Sequence, residues 1–155
     1  MRLLRDISIA VRRGPRVWVD AMVSTWELAL ANRALRRTPP GQLPLLRRTR
    51  SGDEQATLSP KQAALLDRVT YAVGFMGARV PWRADCLVQA LAARRWLERA
   101  CVSSDVCIGV RKNEQGFQAH AWLKVGERIV TGGDTSTYAE LPAAHLGRTS
   151  FTDWT

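Results

Sequence analysis

Three features of the chain predict an α+β fold, helices first and an antiparallel sheet after them. Segments 15–37, 59–80 and 86–100 carry helix signals: apolar residues at helical spacing, caps and first-turn prolines. From residue 105 the apolar period falls to two, the repeat of a strand with one face buried. The strands are joined by short turns, so that they return antiparallel.

Residues 15–37 read as a helix. Pro15 suits a first turn, and Val19, Met22, Val23, Trp26 and Leu30 form an apolar stripe at helical spacing. Arg33, Arg36 and Arg37 gather at its C-terminal end, where the helix dipole favours cations. The stretch TPPGQLPLLRRTRSGDEQATLSP, 38–60, has three prolines before Leu45, two glycines and a charge run, and reads as a linker or long loop. It marks the main boundary, between a basic helical extension with its linker (1–58) and a core (59–155).

At 59–80, Ser59 can cap a helix, Pro60 fits its first position and Gln62 completes a capping-box pattern; Gly74 and Gly77 weaken the end. VPWRAD, 80–85, is a loop, because Pro81 turns Val80 out of helical geometry. CLVQALAARRWLERA, 86–100, is the clearest helix. Its polar cluster is Arg94, Arg95, Glu98 and Arg99, and nearly everything else is apolar, so most of it should be buried. Strand 105–112 alternates through Val106, Ile108 and Val110, and NEQG at 113–116 turns the chain. Strand 117–125 sets Phe117, Ala119, Ala121, Leu123 and Val125 on one face and Gln118, His120, Trp122 and Lys124 on the other. After a turn starting at Gly126–Glu127, RIVTG, 128–132, returns antiparallel.

The length, 155 residues, suits one domain with a modest core, and 46% apolar content argues against wholesale disorder. No apolar run reaches the roughly 18 residues of a spanning helix, and Arg5 and Asp6 interrupt the start before a secretory segment forms, so the expectation is a cytoplasmic protein. Three cysteines argue against a disulfide framework. The net charge of +9 is unevenly placed: residues 1–50 hold eleven arginines against three acids. Such a segment attracts anionic partners, although an arginine-rich helix face can also be merely solvated.

Cys86 is the first candidate for chemistry. With Asp85 as N-cap it takes the first helical position, beside unpaired backbone N–H groups and the positive end of the dipole, which favour thiolate. Those N–H groups can also hold a developing oxyanion. The ordinary use of a free cysteine is as a small buried hydrophobe. His120 faces away from its strand's apolar side, and imidazole suits a base that takes a thiol proton and returns it to a leaving amine. The base needs an orienting acceptor, and Asp134 is the available acid. A loop of 126–128 would set His120 opposite Asp134 on one face. A two-residue loop, 126–127, would pair His120 with Gly133 and turn Asp134 away. A triad therefore requires an odd loop or a bulge. Taken alone, Asp134 reads as a turn residue in TGGDTS.

Cys-Leu at 86–87 heading a helix, IGV at 108–110, AHAWL at 119–123 and an acid after the return strand together resemble the transglutaminase-like cysteine peptidases. More narrowly, they resemble the leader peptidases of lasso-peptide biosynthesis. The likeness spans about residues 60–140. It implies a papain/transglutaminase-like core with Cys86 as nucleophile, His120 as base and acid, and Asp134 as orienter. It further implies cleavage of one bond in a ribosomally made precursor, freeing an amine for a separate ATP-using lasso cyclase. Family members grip the leader through a small recognition domain, fused or separate. Residues 1–58 lack a strand-rich pattern for one, so a stand-alone form with a separate recognition protein is expected. The basic front, with Arg33, Arg36, Arg37, Arg47 and Arg48, is then the candidate docking surface for partner and precursor.

Trp82, Gln118 and Trp122 are candidate cleft residues, though each can be simple packing. Cys101 and Cys107 read as inert thiols and His145 as a surface residue. No C-x-x-C or H-x₃₋₅-H spacing suggests zinc, and no cofactor is expected. Two other readings stay open: acyl transfer to an amine by the same triad, and a basic module binding protein or nucleic acid. Against nucleic acid, no recognition motif is present and aromatics do not interleave with the basic run.

Overall fold

A computed structural model describes residues 14–38, 58–114 and 116–141. Most of the 38–60 linker, Arg47, Arg48 and His145 lie outside the described residues. The elements are α1 (Arg16–Arg37), α2 (Pro60–Gly77), α3 (Cys86–Arg99), β1 (Asp105–Asn113), β2 (Gly116–Val125), β3 (Arg128–Thr131) and β4 (Ala139–Glu140). The sheet is antiparallel throughout, in the order β3-β2-β1-β4. The fold is thus α+β, as expected. The two-residue β4 carries too little pattern to be read from sequence.

Local chemistry sets the helix ends. At α2, Ser59 Oγ accepts from Gln62 N–H at 3.3 Å while Gln62 Oε1 accepts from Ser59 N–H at 2.9 Å, a complete capping box with Pro60 behind it. At the far end of α3, Cys101 N–H donates to Glu98 and Val102 N–H to Leu97, closing a Schellman turn with Cys101 at φ 56°. Val102 is buried just beyond it.

The core lies between α3 and one face of the sheet, with α1 and α2 packed around α3. Leu91 and Leu97 of α3, Leu66, Val69 and Val73 of α2, and Leu123 of β2 are fully buried. The first helix also supplies core: Leu28 and Ala31 are fully buried, although the charge pattern assigns their segment to an extension.

The orientation of α1 corrects the sequence reading. Met22 and Trp26 of the apolar stripe are 73% and 62% exposed, and Val19 and the adjacent Trp18 are also exposed. The buried side carries Asp20, Ser24, Glu27, Leu28 and Ala31. The reason is electrostatic as well as apolar. Arg68 of α2 grips Asp20 bidentately at 2.9 and 2.5 Å, and this pair raises the Arg68 pKa above its ordinary value. Glu27, wholly buried, meets Arg95 of α3 at 2.9 Å and also pairs with Arg99. Arginines waiting on the neighbouring helices turn the two acids inward, and the tryptophans outward.

Candidate active site

Cys86 stands at the head of α3, half-buried. Asp85 caps the helix: its carboxylate accepts from Val88 N–H at 3.1 Å and its carbonyl from Gln89 N–H at 3.0 Å. The N–H groups of Cys86 and Leu87 then have no acceptor among the described residues, and they point from the helix's positive end. Gln89, one turn on, donates Nε2 to the Ala84 carbonyl at 2.7 Å, which ties the 80–85 loop to the helix.

His120 is delivered by β2, paired with Gly109 of β1. The hairpin that follows settles the register question. Val125 pairs with Arg128, so the loop is only Gly126–Glu127. Between Lys124↔Ile129 and Leu123↔Thr131 a β-bulge inserts Val130, restoring the odd register that a two-residue loop would lose. Val130 and Thr131 are consequently buried in succession.

Cys86 and His120 border one cavity of about 360 Å³. Thr70 and Gly74 of α2 and Gln89 of α3 form one wall, and Val130, Thr131, Gly132 and Gly133 the other. Thr131 Oγ1 is buried and has no hydrogen-bond partner among the described residues. The His120 ring lies 5.0 Å from Tyr138 and 6.1 Å from Trp122, centroid to centroid, and its Nε2 meets the Gly132 carbonyl at 2.6 Å.

Asp134 is placed differently from the expected orienter. It is exposed, and its Oδ1 accepts from Ser136 N–H at 2.9 Å, an Asx-type turn. The hydrogen bonds from Ser136, backbone first and then side chain, hold its pKa below the usual carboxylate value. The bulge restores the register, but pairing stops at Thr131; Gly132 and Gly133, at φ 109° and 65°, lead the chain away before Asp134.

None of the three expected cleft residues borders the cavity. Trp82 packs half-buried against the core, with its Nε1 unpartnered among the described residues. Gln118 is exposed and accepts from Arg111 Nε at 2.8 Å. Trp122 is buried on the sheet's outer face against Gly109 and Gly132. Arg33, Arg36 and Arg37 are exposed on the last turns of α1, remote in sequence from the cavity's elements. Residues that sequence reasoning missed are Gln89, Thr131, Gly132 and Tyr138. Only Gly132 carried a signal, the glycine pair after β3; the other three depend on the bulge, the loop path or helix packing. Among the described residues, no three His, Cys, Asp or Glu side chains cluster as metal ligands, and no helix is long and apolar enough to cross a membrane.

No curated protein and no solved structure matches the chain. Residues 25–143 match the model of the family described as the transglutaminase-like superfamily. That span contains most of α1, the cavity and both Cys86 and His120, and the chain belongs to the transglutaminase-like superfamily.

Proposed function

We propose that this protein is a cysteine endopeptidase that removes the leader from a ribosomally made lasso-peptide precursor. The superfamily holds cysteine peptidases and acyltransferases. The observation that carries a catalytic reading is that Cys86 and His120, 34 positions apart in sequence, border the same cavity. The narrower assignment is supported by the residues themselves: Cys-Leu at a helix head, IGV, and AHAWL on the following strand.

In this reading His120 takes the Cys86 thiol proton and the sulfur attacks the scissile carbonyl. The unpaired N–H groups of Cys86 and Leu87 receive the developing oxyanion. The tetrahedral intermediate collapses as His120 hands its proton to the leaving amine, leaving a thioester on Cys86. Water then attacks the thioester, giving a proton to His120; its collapse releases the leader carboxylate and returns the proton to sulfur.

The exposed side of α1 is the proposed docking surface for a separate leader-recognition protein. It presents Trp18, Met22 and Trp26 ahead of Arg33, Arg36 and Arg37, while both of its acids are buried. Aromatic, methionine and arginine side chains are the residues enriched at protein interfaces. The test is to incubate a leader-bearing precursor and a recognition protein with wild type and with Cys86→Ala. Mass spectrometry should show one cleavage with wild type and none with the variant; equal cleavage by both rejects the reading. An added primary amine separates the second possibility, because acyl transfer would yield an amide adduct in place of the acid.

A further inference from the structure

We infer that the backbone carbonyl of Gly132, and not a carboxylate, is the group that orients His120. This rests on the catalytic reading of His120 above. A carbonyl oxygen only accepts, so the 2.6 Å contact requires that Nε2 carry the proton. Neutral imidazole has one N–H, and the basic lone pair is therefore on Nδ1. When His120 takes the thiol proton, Nδ1 gains it, and the bond from Nε2–H to Gly132 becomes charge-assisted. One fixed acceptor thus serves both protonation states, as the third member of a triad must.

The carbonyl is held in place by packing. Gly132 sits at φ 109°, a conformation that side-chain-bearing residues rarely adopt. A Cβ there would fall 2.3 Å from Trp122 Cβ and 3.2 Å from the Ala121 carbonyl. Trp122 is itself 3% exposed and follows His120 by two positions on the same strand face. The tryptophan therefore supports the peptide that orients the histidine. Asp134, the only acid among the five residues after the ladder's end at Thr131, is committed to Ser136. Gly132 is a positioning group in this scheme, since it acts through the imidazole.

The chain has only two histidines, which makes the test direct. The full chain is labelled with ¹⁵N-histidine, and His145→Gln assigns the remaining ring. In the neutral ring, the N–H coupling pattern of His120 should show Nε2 protonated and Nδ1 unprotonated, in wild type and in Asp134→Asn alike. Gly132→Ala should mix or reverse the pattern. In the precursor assay Asp134→Asn should keep its rate within about threefold, as for a surface substitution. A carboxylate orienter would instead lose on the order of 10⁴-fold on amide replacement. An Nδ1-protonated ring in wild type overturns the inference, and so does a folded Asp134→Asn as inactive as His120→Ala. Cleavage that survives Cys86→Ala would remove the catalytic reading itself, a result distinct from either.

Discussion

Gly132 lies so close to Trp122 that a methyl group on the glycine would stand 2.3 Å from the tryptophan Cβ. The contact joins the chain just past β3 to the outer face of β2, one position past the last ladder pair, Leu123↔Thr131. Gly132→Ala forces both a left-handed backbone and an overlap, a combined cost of about 2–4 kcal/mol. Gly133→Ala, equally left-handed at φ 65° but with nothing within 4 Å, should cost only the backbone share. Chemical denaturation of both variants checks the difference.

Glu27 is wholly buried and shared by Arg95 and Arg99. Removing one partner of a buried pair costs about 3–5 kcal/mol when the other stays buried. Both arginines are partly exposed and can recover water, so Glu27→Ala should cost about 2–3 kcal/mol. A double-mutant cycle with Arg95→Ala should show positive coupling; additive losses would reject the ion-pair account.

The outward stripe of α1 makes an opposite forecast from its composition. Met22→Ser and Trp26→Ser should each change stability by no more than about 0.5 kcal/mol, because the side chains are already solvated. Leu28→Ala, at a fully buried position, should cost about 2–5 kcal/mol. Loss of stability in the Trp26 variant comparable to that of Leu28→Ala would mean that the helix is rotated from the orientation described.

Cys101 occupies the left-handed position of the turn after α3, where glycine is the usual residue. Cys101→Gly should raise stability by up to about 1 kcal/mol, the relief of left-handed backbone strain less the entropy glycine loses. A rise in thermal midpoint at neutral pH under reducing conditions is the expected readout.

Asp134 gives a pH dependence with a definite sign. Its folded pKa is depressed by the bonds from Ser136, so its support of the turn is present above the unfolded value of about 4 and is lost as pH falls through the lower folded value. Protection of the Ser136 amide against exchange should fall in that acidic window in wild type. It should show no such step in Asp134→Asn. Global stability should move little, since the carboxylate is exposed.

Much of this protein is legible from the order of its residues. Ser59-Pro60 with Gln62 and Asp85-Cys86 write their helix starts locally, because a cap needs only neighbours three residues apart. Alternation along β1 and β2 is equally local, and it puts Ala121, Leu123 and Val125 against α3. Those signals also set Cys86 at a helix head and His120 on a strand. What required the folded chain was every relation across elements. The rotation of α1 was decided by Arg68, Arg95 and Arg99, which lie 48 to 72 residues beyond the acids they turn inward. The histidine's acceptor was decided by the Val130 bulge and the turn at Gly132, where no side chain was available to read. Periodicity records which way a residue faces within its own element; pairing between distant charges and the path of a backbone carbonyl are set only when those elements meet.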